Sequence, residues 1–346
     1  MIKKGTKDIS SLYFNGKQIT QGYLGDKLVF TSSKPFKIWT GSSRGFTLGF
    51  GSSNGYKTDV DLYYSLDNGK TWNHIDDFNT TIFIPGGKTG ITLKGNNPTG
   101  FCDRMLSRNI SFAIGEQDEV SVEGNIMNLI NPDTPTKYIP CDWCFCRLFS
   151  NMRYINPRNL ELPATVLKES CYEAMFQNCT FLHYPPKLPA TTLAKRCYAY
   201  MFNGCEWLET APELPAMIMA EDCYSGMFRN CYRLAPPSIL PATTLARGCY
   251  GSMFNGCRFE TAPELPATTL EPYCYQQLFD YCSKLKNIKC LAVNGVNQNG
   301  STANWVRYAG YNASGSKTFT KNPNATDWTR GDSGIPSGWT VQDAVI

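Results

Sequence analysis

Apolar positions recur along this chain on two scales. Between Leu162 and Cys282 a phrase of Leu-Pro-Ala, Cys-Tyr, Met-Phe and Cys is written five times, with Leu-Pro-Ala starting at Leu162, Leu188, Leu214, Leu240 and Leu265. The steps are 26, 26, 26 and 25 residues. A near-constant step of this length predicts a solenoid, because one unit is too small to bury its own apolar face. Inside a unit Cys197 and Met201 stand four apart, as do Tyr198 and Phe202. At roughly 100° per residue these four cover an arc of about 140°, one buried stripe on a short helix. Asn203-Gly204 supplies the left-handed position that ends it. The run 207–215 then reads as extended, with prolines that argue against a central strand.

The repeated core is accordingly Cys171, Tyr172, Met175 and Phe176; Cys197, Tyr198, Met201 and Phe202; Cys223, Tyr224, Met227 and Phe228; and Cys249, Tyr250, Met253 and Phe254. A degenerate unit precedes them at Cys144-Phe145, Leu148-Phe149 and Met152, and the last unit carries Leu278-Phe279. Altered terminal repeats are expected where a stack must face water or another domain.

The second scale is strand-like. Residues 36 to about 130 hold short alternating runs, such as Phe46-Thr-Leu48, Val60-Asp-Leu62 and Ile110-Ser-Phe112, separated by turn residues. Six or more such runs predict a β-sandwich. Residues 1–33 predict a small β unit with turns at Asn15-Gly16 and Gly25-Asp26. After Cys290 three tryptophans with short β runs suggest a cap over the last repeat. The expected fold is mainly β with short helices: an N-terminal attachment unit (1–33), an Ig-like β-sandwich (34–137), a repeat solenoid (138–291) and a capping segment (292–346).

Composition narrows the function. With 33 basic and 29 acidic residues the charge is balanced, which argues against nucleic acid, and no apolar run suits a membrane span. The start has basic residues but no apolar stretch after them, so no secretory signal is expected. Of 15 cysteines, ten occupy two fixed phases of the repeat. Disulfides or metal ligands are open readings, but one residue type at one phase of every unit fits a small apolar filler best. Cys141, Cys144 and Cys146 admit a zinc site, yet no second cysteine pair follows and the only histidines are His74 and His183. No metal or other cofactor is expected.

Ser65-Leu-Asp67-Asn-Gly69-Lys-Thr71-Trp72 matches an Asp-box pattern. It occurs once, and no paired carboxylates or nucleophile–base set stand at readable spacing, so no enzyme is expected. The residues that vary from unit to unit matter more. Two places after the second cysteine stand Phe181, Trp207, Arg233, Phe259 and Lys284; one place later stand Leu182, Leu208, Leu234, Glu260 and Leu285. If the leucines point inward on a strand, their neighbours point out. Two readings stand for that outward row: a surface that stacks on sugar rings or meets acidic glycans, or ordinary side chains packing on one another.

The units Leu-Pro-Ala-Thr-Thr-Leu-Ala-x-x-Cys-Tyr-x-x-Met-Phe resemble the BspA-like leucine-rich repeats of Bacteroidales proteins. Tyr64–Trp72, Val122–Met127 and Ser333–Val341 look like segments that accompany them. The opening, Ile9–Ile19 with Tyr23–Val29, is similar to N-termini of phage and prophage tail proteins of gut bacteria. The resemblance implies a surface-binding protein without catalytic machinery. With no export signal expected, it implies a virion tail component, assembled in the host cytoplasm, that binds other tail proteins through its N-terminus and a host-surface glycan or protein through the solenoid. It leaves a homo-oligomer open. A bacterial cell-surface adhesin is the alternative, and a glycan-acting enzyme, which only the single Asp box favours, is the weaker third reading.

Overall fold

The computed structural model describes residues 34–52, 55–104, 108–115, 119–132 and 137–345 in full, and the strands within 3–31 by their backbone. The protein is mainly β, with about 25% strand. β1 (Lys3–Lys4) pairs with β2 (Lys7–Asp8), β3 (Leu12–Phe14) with β4 (Lys17–Ile19), and β5 (Gln21–Leu24) with β6 (Lys27–Thr31), all antiparallel. The Asn15-Gly16 and Gly25-Asp26 turns lie outside the described residues, between the paired Phe14 and Lys17 and the paired Leu24 and Lys27.

Two sheets follow. β10 (Asn73–His74), β9 (Leu62–Ser65), β12 (Gly87–Gly95), β7 (Phe36–Thr40), β14 (Val120–Asn125) and β15 (Ile155–Glu161) form one, in that order. β11 (Ile82–Ile84), β8 (Phe46–Gly51) and β13 (Ser111–Ile114) form the other. Alternate residues of β7 and β8 point inward: Phe36 and Ile38 on one, Phe46, Leu48 and Phe50 on the other. Phe36 of one sheet meets Phe112 of the other at 6.2 Å, so a single apolar core fills the space between them. β14 and β15 run parallel, which carries the first sheet into the repeat region.

The repeats stack, but without the expected short helices. Among the described residues the only helix is the four-residue 3-10 turn Ile126–Leu129. The Cys-Tyr-x-x-Met-Phe stretch is instead a chain of turns with positive φ at every fourth residue, as at Ser170, Ala174 and Asn178, then Arg196, Tyr200 and Gly204. Its backbone donors alternate in direction. Glu173, Met175 and Gln177 donate to carbonyls three residues back, whereas Tyr172, Ala174 and Phe176 donate to Cys197, Ala199 and Met201 of the following coil. An α-helix would use every interior N–H on its own turn and leave none for the neighbouring coil. A four-residue turn and a helix share the i, i+4 pattern, which is why the sequence reads as helical.

The turns align the apolar side chains into ladders. Phe145, Tyr172, Tyr198, Tyr224, Tyr250 and Tyr275 stack with centroids 5.7–6.3 Å apart, and Phe149, Phe176, Phe202, Phe228, Phe254 and Phe279 at 5.4–6.0 Å. All of the expected core residues are buried.

Both ladder ends are closed by the flanking segments. At the start, the Phe101 and Phe112 N–H groups donate to Cys144 and Leu148 at 2.8 and 2.7 Å, the same register one coil makes with the next. Their rings continue the two ladders, 6.0 Å from Phe145 and 5.6 Å from Phe149. At the end, Tyr275 and Phe279 donate to Ser301 and Trp305, so residues 300–308 form one more coil that the sequence pattern does not reveal. Trp305 stands where methionine stands elsewhere, and its indole covers Tyr275 at 6.2 Å and Phe279 at 6.0 Å. The capping segment then adds β17 (Thr318–Lys321) and β18 (Thr340–Asp343) in parallel to β16 (Asn287–Cys290).

Candidate functional site

After their second cysteine three coils make one more turn, in which the Leu182, Leu208 and Leu234 N–H groups donate to Cys179, Cys205 and Cys231 at 3.0, 3.1 and 3.3 Å. These leucines are buried, and Phe181, Trp207 and Arg233 stand just before them on the outer side of the turn rather than on the expected strand. Their N–H groups donate to Arg153, Thr180 and Glu206 of the preceding coil at 2.9, 3.0 and 3.2 Å, which holds the row in register. The side chains then stack on one another. Phe181 lies 4.7 Å from Tyr154 with ring planes 10° apart, and Trp207 lies 5.3 Å from Phe181. The Arg233 guanidinium sits 3.4 Å from the Trp207 centroid, and Arg153 lies 5.2 Å from Phe181. Cations at such distances are attracted to the ring faces. Phe181 and Trp207 are half-buried and Arg233 is exposed. The result is a four-rung surface of three rings and a cation.

Tyr154 was not among the expected residues, although it stands 27 residues before Phe181 in the degenerate first unit. Extending the row by one period would have found it.

Phe259 and Lys284 do not extend the stack. Phe259 turns inward and meets Phe254 and Phe279 edge-on at 5.5 and 6.3 Å. The backbone differs here, since the turn that follows the second cysteine in the earlier coils is absent at 257–260. In this coil Glu260 replaces the inward leucine, and a carboxylate avoids the core. Glu260 instead points out to Lys286 Nζ at 2.9 Å, and the half-buried phenylalanine packs against the core. Lys284 Nζ donates to the Asn312 carbonyl at 3.2 Å.

Polar groups flank the stack. The His183 ring stands edge-on to Trp207 at 5.5 Å, with Nδ1 3.0 Å from Glu209 Oε1. Hydrogen bonds from His183 and then Tyr184 hold the Glu209 carboxyl below its ordinary range. Arg158 lies 5.0 Å from the Tyr184 ring.

A second concavity, absent from the repeat reading, lies on the turn side near the C-terminal end. This groove of 670 Å³ is lined by Tyr232, Arg258, Tyr281, Arg307, Tyr308 and Tyr311, among others. Tyr281 and Tyr308 are exposed with rings 4.9 Å apart. Arg307 is fixed beside them by Asp280, a buried carboxylate that accepts its Nε at 3.1 Å and an Nη at 2.7 Å.

The ladder cysteines are buried, and those at the second position donate their thiols to backbone carbonyls. Among the described residues no group of three or more His, Cys, Asp or Glu side chains converges as a metal site would require. Asp67 of the single Asp box accepts Ser65 Oγ, the Lys70 and Thr71 N–H groups and Thr71 Oγ1 at 2.7–2.9 Å. These bonds, Ser65 foremost, hold its carboxyl far below the ordinary range and tie it to the turn. Among the described residues no helix is long and apolar enough to cross a membrane. No protein-family model, curated protein or solved structure matches the chain.

Proposed function

We propose that this chain is a non-enzymatic, tail-associated phage protein that binds the host surface. On this reading the repeats are a BspA-like leucine-rich-repeat solenoid, the paired sheets an Ig-like β-sandwich, and residues 1–33 the attachment to other tail proteins. The supporting observation is the outward stack of Tyr154, Phe181, Trp207 and Arg233. The stacked rings cover one another's faces and leave a strip of half-buried edges at one-coil spacing, an apolar strip that suits successive sugar rings, and the rings lose little side-chain freedom on contact. Arg153 and Arg233 add charge for an acidic glycan.

Adsorption tests the reading. Purified Trp207→Ala/Arg233→Ala protein should bind host cells at least tenfold more weakly than the parent, with its circular dichroism unchanged. Equal binding by a folded double variant removes the proposal. The repeat resemblance also favours a bacterial surface adhesin, which would use the same stack from a different place. Mass spectrometry of purified virions separates the two: presence supports the tail protein, and absence from virions with presence on the cell surface supports the adhesin. Release of sugars from host glycans by the protein would overturn the non-enzymatic reading.

A further inference from the structure

Four of the fifteen cysteines meet in pairs where the first coil adjoins the sheets. The contact that seats Phe101 on Cys144 brings the next residue, Cys102, beside Cys146, and the two thiols are neighbours. Cys141 and Cys144, three residues apart in one turn, form the second pair of neighbouring thiols. Gly100 presses on this pair: a Cβ there would stand 2.6 Å from Cys144 Cα and 3.0 Å from Cys141 Sγ. The Lys57 ammonium donates to the Thr99 and Gly100 carbonyls at 2.7 and 2.8 Å, which fixes a positive charge over the loop.

One thiol of each pair differs from the ladder cysteines, whereas Cys144 and Cys146 are pushed up as the ladder thiols are. Burial pushes the ladder thiols up, Cys171 and Cys257 to about 12. Cys102 and Cys141 move down, because the neighbouring Cys146 and Cys144 thiols favour their charged forms and Lys57 adds a favourable charge. Cys141 is also partly exposed, whereas the other fourteen are buried. A thiol with thiolate character, solvent access and a neighbouring thiol is suited to disulfide exchange.

We propose that Cys141–Cys144 and Cys102–Cys146 are two disulfide-forming pairs, oxidised by exchange with a low-molecular-weight disulfide. The Cys141 thiolate attacks one sulfur of the disulfide RS–SR, forming Cys141–S–SR and releasing RS⁻. Cys144 gives up its proton and attacks the Cys141 sulfur, which expels the second RS⁻. Each pair loses two electrons and two protons, and RS–SR becomes two RSH. Cys102 and Cys146 follow the same course more slowly, because both are buried and must open to the reagent. Their bond ties the sheet side to the first coil across 44 residues (146 − 102), while Cys141–Cys144 closes a single turn.

The test is differential alkylation of the intact chain. Protein is incubated with oxidised glutathione at pH 8, quenched in acid, denatured, alkylated, and mapped by peptide mass spectrometry. The expected result is Cys141–Cys144 first and Cys102–Cys146 later, each with loss of two hydrogens. The remaining eleven of the fifteen thiols (15 − 4) should be alkylated. Cys141→Ser should leave Cys144 free while Cys102–Cys146 still forms. Fifteen reduced thiols, glutathione retained on Cys141, or bonds scrambled into the ladder would each overturn the assignment.

Discussion

The Cys205 thiol donates to the Phe176 carbonyl oxygen at 3.1 Å, one coil back. That oxygen also accepts the Cys179 N–H at 3.1 Å, so the thiol supplies a second donor to a carbonyl within the core. Cys179, Cys231, Cys257 and Cys282 make the same bond to Phe149, Phe202, Phe228 and Phe254. Cysteine suits the place because it is small and apolar yet still carries a weak donor. Cys205→Ala removes the donor and leaves a small void, and should destabilise the protein by about 1–2 kcal/mol. Cys205→Ser keeps a donor and should lose less than alanine. Urea midpoints followed by circular dichroism measure both.

Burial raises the ladder thiols and phenols together, and this fixes the sign of the alkaline response. Cys257 goes from 9.0 to about 12, and the Tyr172, Tyr198, Tyr224, Tyr250 and Tyr275 phenols are also pushed up by burial. Above pH 9 an unfolded chain loses protons that the folded chain retains. Stability contributed by these groups is therefore complete below pH 9 and falls as the pH rises toward the folded values. Each such thiol removes up to about 1.4 kcal/mol per pH unit in that window, and the slopes add. A total of about 5–15 kcal/mol is then exhausted quickly. A cooperative alkaline transition between pH 9 and 11 is expected, with ladder tyrosine ionisation at 295 nm appearing only as circular dichroism is lost.

Trp305 ends both aromatic ladders at once, and its Nε1–H donates to the Gly334 carbonyl at 2.7 Å. Trp305→Ala exposes the faces of Tyr275 and Phe279 and should cost about 3–5 kcal/mol. Trp305→Phe should recover part of this, since a ring remains but the Gly334 carbonyl loses its donor. Guanidinium unfolding of the three proteins gives the order wild type, phenylalanine, alanine.

The repeat period, the stacking and the buried phase were all legible in the sequence, because the core letters change little between Cys171 and Phe279. The local backbone was not. Period four is common to a helix and to a run of turns, and only the alternating N–H partners distinguish them. The last coil was also hidden, since Ser301, Thr302, Trp305 and Val306 share no letter with Cys, Tyr, Met and Phe. Of the outward row, Phe181, Trp207 and Arg233 lie together, but on a turn rather than on the strand the spacing implied. Lys284 fell away through a partner, Asn312, that no repeat pattern encodes.

Phe259 is the most instructive member of the row, because a charge stands beside it where the other coils carry leucine. The neighbouring Glu260 is exposed where Leu182, Leu208, Leu234 and Leu285 are buried, and the half-buried Phe259 packs against the core. Phe259→Ala should therefore act on stability, by about 2–3 kcal/mol, and leave surface binding unchanged. Trp207→Ala should do the reverse, with a stability change within about 1 kcal/mol and a clear loss of binding. Glu260→Leu restores the leucine and forfeits the ion pair with Lys286, which is exposed and worth at most about 1 kcal/mol. In that variant the introduced leucine should enter the core and Phe259 should swing out beyond Arg233, lengthening the stack by one rung. A crystal structure of the variant reads the ring position directly. An unchanged Phe259 would mean that its edge-on contacts with Phe254 and Phe279, rather than the charge at 260, decide which way the ring faces.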